Sequence, residues 1–277
     1  MGDAGPSPAT ARWFGRLAKA CEQVAAEALP LSPAQRREVT GSGAGGDPTT
    51  RIDRIAEDVL LAAISAGAEA DGGVAVVSEE VGSKALGADT PVIVVDPIDG
   101  SLNAKRGLPW FSSSIAIVDG PRMSDIRAGY VHDFATGNVF TAEAGGGAWL
   151  NGQPLRSPDS DGLRVVALEG AEPARLARAL PHLGATRRLR LIGSLALSLC
   201  ATAAGWVDGM AGLGAARTVD VAAGMLIARE AGAAVSFIDP DDPAEIGLGI
   251  EERFWVAAAL RADDLPLLRE TIAAADA

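Results

Sequence analysis

The sequence predicts an α/β protein, on three observations. Two apolar runs, residues 73–78 (GVAVVS) and 91–95 (PVIVV), are short, β-branched and bounded by turn residues, as buried strands are. Two stretches near the N-terminus repeat apolar residues every three or four positions, the period of amphipathic helices. Beyond residue 163, strand-like and helix-like segments alternate.

In order along the chain, Trp13, Phe14, Leu17, Ala18, Cys21, Val24, Ala25 and Ala28 form the stripe of a first helix ending at Leu29-Pro30. Residues 40–46, rich in glycine, precede Asp47-Pro48-Thr49-Thr50. They lack a GKS or GKT ending and a preceding strand, so a flexible connection or lid is expected rather than a P-loop. Thr49 and Thr50 cap a second helix that buries Ile52, Ile55, Ala56, Val59, Leu60, Ala63 and Ile64. Spacing alone puts Asp53 and Glu57 on its other, solvated side. The strand at 73–78 then delivers Glu79 and Glu80 at its carboxyl end.

Residues 112–119 and 126–132 alternate as antiparallel strands do, with a hairpin turn at 135–138, and the meander runs on through 139–142 and 145–150 to Asn151-Gly152. His132, within a strand, is expected to be packed or at the surface rather than a ligand. Polar residues 157–162 mark the expected boundary between an N-terminal α+β half, 1–156, and a C-terminal α/β half, 157–277. In the second half, strands are expected at 164–168, 187–191, 207–211, 233–238 and 254–260. Helices are expected at 172–180, after Gly193-Ser194, from Asp220 to Gly232, and at 263–275.

Composition excludes several functions. A net charge of −12 argues against a nucleic-acid surface, which would show a basic stripe. No apolar run approaches the ~20 residues of a membrane span, and residues 1–10 lack a signal-peptide pattern. Cys21 and Cys200 lack metal spacing and fit buried thiols of a cytoplasmic protein. With two histidines, His132 and His182, zinc hydrolase and Ser-His-Asp chemistry lose their support.

The chemistry centres on Asp96-Pro97-Ile98-Asp99-Gly100-Ser101 after the strand at 91–95. Pro97 fixes a turn, so Asp96 and Asp99 can fold toward one centre with the Ile98 carbonyl between them, oxygen ligation suited to Mg²⁺. Gly100-Ser101 can open a helix whose N–H groups face an anion, and Gly193-Ser194 offers a second such seat. Asp, Pro and Gly are also the commonest turn residues, so a plain loop stays open on this stretch alone. A covalent aspartyl-phosphate is disfavoured, because it needs Asp-x-Asp.

Together, Asp47-x-x-Thr50-x-x-Asp53, Glu79-Glu80, Asp96-Pro-Ile-Asp99-Gly-Ser101-x-Asn103, Gly193-Ser194 and Asp220-Val-Ala-Ala-Gly224 with Glu230-Ala-Gly232 resemble the inositol monophosphatase family. These are Mg²⁺-dependent, lithium-sensitive phosphomonoesterases. Residues 43–57 look most like the archaeal-type fructose-bisphosphatase/inositol-phosphatase branch. The resemblance implies the inositol-monophosphatase/fructose-bisphosphatase-like fold, an α+β layered sandwich of alternating helix and sheet layers, usually a homodimer, with two or three Mg²⁺ ions between the halves. It assigns Glu79, Asp96 and the Ile98 carbonyl to one ion, Asp96, Asp99 and Asp220 to a second, and Glu79 and Glu80 to a looser third. Asp53, facing Ser101, would orient and deprotonate the attacking water. Gly100, Ser101, Gly193 and Ser194 would donate to phosphate.

Three departures bear on the substrate. Ser101 stands where the family mostly has Thr. Leu213 stands where inositol-specific members carry a ring-gripping Glu, and the loop before Asp47 lacks the Lys those members tend to have. Arg217, with Arg188 and Arg190, is a candidate contact for a second phosphate or a sugar. The expected activity is metal-dependent hydrolysis of a small sugar or cyclitol phosphate by direct water attack, with a small phosphate ester as partner and no nucleic acid or membrane. The alternatives are fructose 1,6-bisphosphatase or 3′-phosphonucleotide phosphatase activity, and a catalytically silent sugar-phosphate-binding regulator. Loss of Asp53, Ser101 or a metal carboxylate would signal the last, and none is lost.

Overall fold

The structure is a computed structural model and describes residues 5–44, 48–184 and 186–277. Helix α1 (Pro8–Ala28) begins at Ser7, whose hydroxyl accepts the Thr10 N–H, with Pro8 preset for the first turn. After the single turn α2 (Pro33–Arg36), the glycine-rich stretch departs from expectation. Its arms pair antiparallel as β1 (Val39–Ser42) and β2 (Pro48–Thr50), so it is a hairpin rather than a free connection. Asp47, part of the motif above, lies outside the described residues together with Gly45 and Gly46.

Helix α3 (Arg51–Asp71) starts at Thr50, and the Asp53 carboxylate accepts both the Thr50 N–H (3.0 Å) and hydroxyl (2.7 Å). Its apolar stripe is buried as predicted, and it packs on α1. The solvated face does not form, however: Asp53 is 4% and Glu57 1% exposed. That side of α3 is covered by polar partners, Lys105 on Asp53 and Ser78 on Glu57. An apolar stripe records what faces the oily core and is blind to a face buried against polar groups.

Strand β3 (Val74–Ser78) is gripped on both edges by one long segment, β4 (Gly82–Asp99). Its first arm folds back antiparallel, Ser78↔Gly82 to Val74↔Leu86, and its second runs alongside, Ala75↔Val92 to Ser78↔Val95. Glu79 and Glu80 therefore occupy the turn beside the end of the second arm. Helix α4 (Ser101–Arg106) follows, then β5 (Ser112–Val118), β6 (Ile126–Asp133), β7 (Val139–Glu143), β8 (Gly147–Leu150) and β9 (Gln153–Leu155), completing a seven-stranded sheet in the order β3-β4-β5-β6-β7-β8-β9. Asn151 and Gly152, both at positive φ, make the two-residue turn into β9.

The second sheet has the order β11-β10-β12-β14-β13. Its strands are β10 (Val165–Glu169), β11 (Arg188–Arg190), β12 (Gly209–Gly212), β13 (Ala234–Ile238) and β14 (Trp255–Ala259), interleaved with α5 (Pro173–Ala179), α6 (Leu195–Ala203), α7 (Thr218–Ala231) and α8 (Leu265–Asp276). The core forms three apolar clusters. One lies between α1, α3 and the first sheet, one joins that sheet to α6, α7 and the second sheet, and one lies between the second sheet, α5 and α8. Helix and sheet layers thus alternate, as expected for a layered α+β sandwich. The middle layer packs closely: a Cβ on Gly129 of β6 would fall 2.8 Å from the Ala223 carbonyl of α7, so only glycine fits there. Cys21 and Cys200 are buried free thiols. His132 is buried and packed against Phe134. No helix among the described residues is long and apolar enough to cross a membrane.

Candidate active site

Strand ends from both sheets converge on a cleft of about 230 Å³. The first sheet contributes Glu79 and, from the end of β4, Asp96, Ile98 and Asp99. Gly100 and Ser101 open α4, and the second half contributes Glu169, Gly170, Gly193, Arg217 and Asp220. Each carboxylate is delivered by local turn or cap chemistry. Asp96 accepts the Ile98 N–H at 2.9 Å, closing the turn that Pro97 sets. Asp220, in the first turn of α7, accepts the Arg217 N–H at 3.1 Å. Gly100 sits at φ 85°, and a Cβ there would lie 2.7 Å from the Trp110 carbonyl and 3.0 Å from that of Gly193, so the two glycine turns are in contact.

The electrostatics of the cleft are unfavourable without a cation. Burial pushes the Asp96 carboxyl well above the ordinary range, and Glu79, Asp99 and Asp220 push it further. Asp99 is pushed up to about 7 by burial and by Asp220, although hydrogen bonds from Ser194 and Ala196 pull the other way. Glu79 is raised for the same reasons, offset in part by Arg217. The Arg217 guanidinium lies 2.8 Å from Glu79 and 3.3 Å from Asp220. Burial opposes its charge, but Asp220, Glu79 and Asp96 outweigh that and hold it protonated. Arg217 is thus engaged with the carboxylates rather than turned toward a second phosphate.

Other expected residues are placed as follows. Asp53 does not line the cleft; its partners are Thr50 and the Lys105 ammonium at 2.9 Å, not Ser101. Glu80 bonds the Thr49 hydroxyl, and burial raises its pKa. The Ser194 hydroxyl, expected to face phosphate, donates instead to Asp99, which also accepts the Ala196 N–H at 2.9 Å and so caps α6. Glu230 accepts the N–H groups of Gly145 and Gly147 and braces the β7–β8 turn. Arg188 and Arg190 are exposed on β11. Leu213 is fully buried among α5 and α8 residues, which rules it out as a substrate-facing position.

Two side chains were not singled out in the sequence. Lys105 supplies the positive charge on Asp53. Glu169, the last residue of β10, lines the cleft while 4% exposed. Its signal was readable, since Leu168-Glu169-Gly170 repeats the pattern of an apolar strand delivering a carboxylate, as Ser78-Glu79 does.

A divalent cation fits this site on donor chemistry: carboxylates and Ile98 line one cleft, and among the described residues Arg217 is the cationic side chain paired with those carboxylates. Among the described residues no three acidic, histidine or cysteine side chains already stand as a closed cage.

The sequence matches the model of the inositol monophosphatase family over residues 13–275. It is 34% identical over 238 residues to a fructose-1,6-bisphosphatase/inositol-1-monophosphatase of Methanothermobacter thermautotrophicus, covering 81% of this chain and 84% of that protein. It is 32% identical to a bifunctional NADP phosphatase/NAD kinase of Methanococcus maripaludis, over 72% of this chain and 38% of that one. A crystal structure of an inositol monophosphatase-fructose 1,6 bisphosphatase superposes with a TM-score of 0.79 at 25% identity, covering 94% of this chain and 99% of the other.

Proposed function

The chain belongs to the inositol monophosphatase family and is a phosphoric monoester hydrolase, and on that premise we propose that its cleft hydrolyses a small sugar or cyclitol phosphate with Mg²⁺ by direct attack of water. The observation that carries this reading is the gathering of Glu79, Asp96, Asp99 and Asp220 from three chain segments beside the Gly100 and Gly193 turns. Held by Glu79, Asp96, the Ile98 carbonyl, Asp99 and Asp220, with Glu80 near a third position, Mg²⁺ would supply Lewis acidity to water and to the phosphoryl oxygens.

The chain's own groups then have distinct tasks. Gly100 and Ser101 present N–H and hydroxyl donors at the start of α4. Asp53 would help orient the water and take its proton, with Ser101 as an orienting hydroxyl: Lys105, which pairs with Asp53, lies one helical turn from Ser101 on the same face of α4. Arg217 moves off Glu79 and Asp220 when a cation takes their charge, and becomes available to substrate. Residues 1–156 supply most of the carboxylates, and 157–277 supply Asp220 and the substrate contacts. The protein acts as a cytoplasmic homodimer in this reading.

A bisphosphatase reading, on fructose 1,6-bisphosphate or a phosphorylated nucleotide, is supported by what the two relatives are named for. The experiment is phosphate release from inositol 1-phosphate, fructose 1,6-bisphosphate, sugar monophosphates, 3′-phosphoadenosine 5′-phosphate and NADP, with Mg²⁺ or EDTA. Mg²⁺-dependent turnover of one compound is expected. Silence across the panel, with Mg²⁺ still bound, would instead favour a binding protein.

A further inference from the structure

Glu169 and Asn103 hold the Ile192–Gly193 turn from opposite sides. The buried Glu169 carboxylate accepts the Gly193 N–H at 2.8 Å, the Ile192 N–H at 3.3 Å and the Ser198 hydroxyl at 2.6 Å. Across the turn, the Asn103 amide donates to the Ile192 carbonyl at 2.7 Å and to the Trp110 carbonyl at 2.8 Å. No slack remains between them: a Cβ on Gly193 would lie 2.8 Å from the Asn103 amide nitrogen, and the residue sits at φ 78°. Asn103 belongs to α4, two residues beyond Ser101, and Glu169 ends the β10 strand of the other sheet.

From this geometry we propose that Glu169 is a positioning residue: with Asn103 as its counterpart, it fixes the Gly193 turn against the Gly100 turn and thereby sets the span of the phosphate seat between the two sheets. The N–H of Gly193 is consequently held by Glu169 and is not itself a phosphate donor. The role rests on the phosphatase reading for its consequence in turnover, but not for its existence. A carboxylate is required because one group must accept three donors, which an amide's single oxygen cannot do in the same geometry.

The test compares wild type with Glu169→Gln, Glu169→Ala and Asn103→Ala. Two readouts need no turnover: amide hydrogen exchange at residues 192 and 193, and the affinity of inorganic phosphate for the Mg²⁺-loaded protein. Exchange at both amides should accelerate in every variant, and phosphate affinity should fall about tenfold, the effect expected from one lost buried hydrogen bond. With whichever phosphate ester wild type hydrolyses, KM should rise by about the same factor while kcat changes less than about threefold. The order should be Ala above Gln, since Gln keeps one acceptor. Should Glu169→Ala fail to fold, Glu169→Gln and Asn103→Ala carry the comparison. Unchanged exchange and phosphate affinity in folded variants would overturn the proposal, as would a loss confined to kcat. Wild type inactive on every ester, with exchange and phosphate affinity responding as stated, would refute the phosphatase reading and leave the clamp standing.

Discussion

Asp53 and Asp96 are almost equally buried, at 4% and 2% exposure, yet their surroundings differ completely. Asp53 has the Lys105 ammonium at 2.9 Å and two donors from Thr50. Asp96 has one backbone N–H and faces Glu79, Asp99 and Asp220. The cost of burying Asp53 is therefore answered within the chain. For Asp96 the nearby positive charge is Arg217, which pairs with Glu79 and Asp220, and a cation from solution would answer its burial better. One aspartate is built to be stable alone, the other to be completed.

The largest effect expected from this contrast is at Asp96. Asp96→Asn should lower phosphate release by about a thousandfold or more, because a central ligand charge is lost. Measured without Mg²⁺, the same variant should melt no lower than wild type, because a buried unpaired carboxylate has been removed. Retained turnover would break the contrast.

Arg217→Ala probes the interim answer to the carboxylates. Without Mg²⁺ it should destabilise the protein by about 2–3 kcal/mol in thermal unfolding, since Glu79 and Asp220 lose their partly buried partner. Saturating Mg²⁺ should restore most of that loss. Failure of Mg²⁺ to do so would place the cation elsewhere.

Lys105→Met is the complementary probe. It should cost about 2 kcal/mol, below the ~3–5 of a fully buried pair because the Lys105 side chain is 21% exposed. Here Mg²⁺ should restore little, and equal rescue of Lys105→Met and Arg217→Ala would erase the distinction between the two aspartates.

The smallest effect concerns Glu57, whose hydrogen-bond donor among the described residues is the Ser78 hydroxyl. Burial raises its carboxyl to about 7, with the Ser78 bond opposing and Glu80 adding to the rise. The folded protein therefore binds more protons than the unfolded chain between the ordinary carboxylate range and about pH 7, so stability falls as pH rises through that window. Glu57→Gln should remove on the order of 1 kcal/mol of that decline, read from denaturant unfolding at pH 5 and pH 7.5. An unchanged slope would mean that Glu57 is not the group that titrates.

The sequence showed much of this and missed specific parts. Val92–Val95 and the Asp96–Ser101 turn were legible because strand pattern, proline and glycine each act locally. The helices after Thr50 and Ser194 began where their caps foretold, whereas the one expected from Asp220 starts two residues earlier, at Thr218. Asp53 and Glu57 were misplaced because a 3.6-residue period reports apolar contact and not burial among polar groups. Residues 40–50 looked like a connection because glycines hide strand propensity, yet Val39–Ser42 and Pro48–Thr50 pair. Ser194 was expected to face phosphate, but Asp99 captures its hydroxyl across 95 residues of sequence. The strand-end pattern could have pointed to Glu169 but not to its hold on the Gly193 turn, and Lys105 shows its pairing with Asp53 of α3 only in the folded chain.

The central claim, that the cleft is completed by a divalent cation at Asp96, is tested most directly by following thermal unfolding of wild type and Asp96→Asn during a Mg²⁺ titration. Wild type should gain about 2.7 kcal/mol at one hundred times its dissociation constant, and Asp96→Asn should gain little over the same range. Equal stabilisation of both proteins, or none of wild type, would contradict the account.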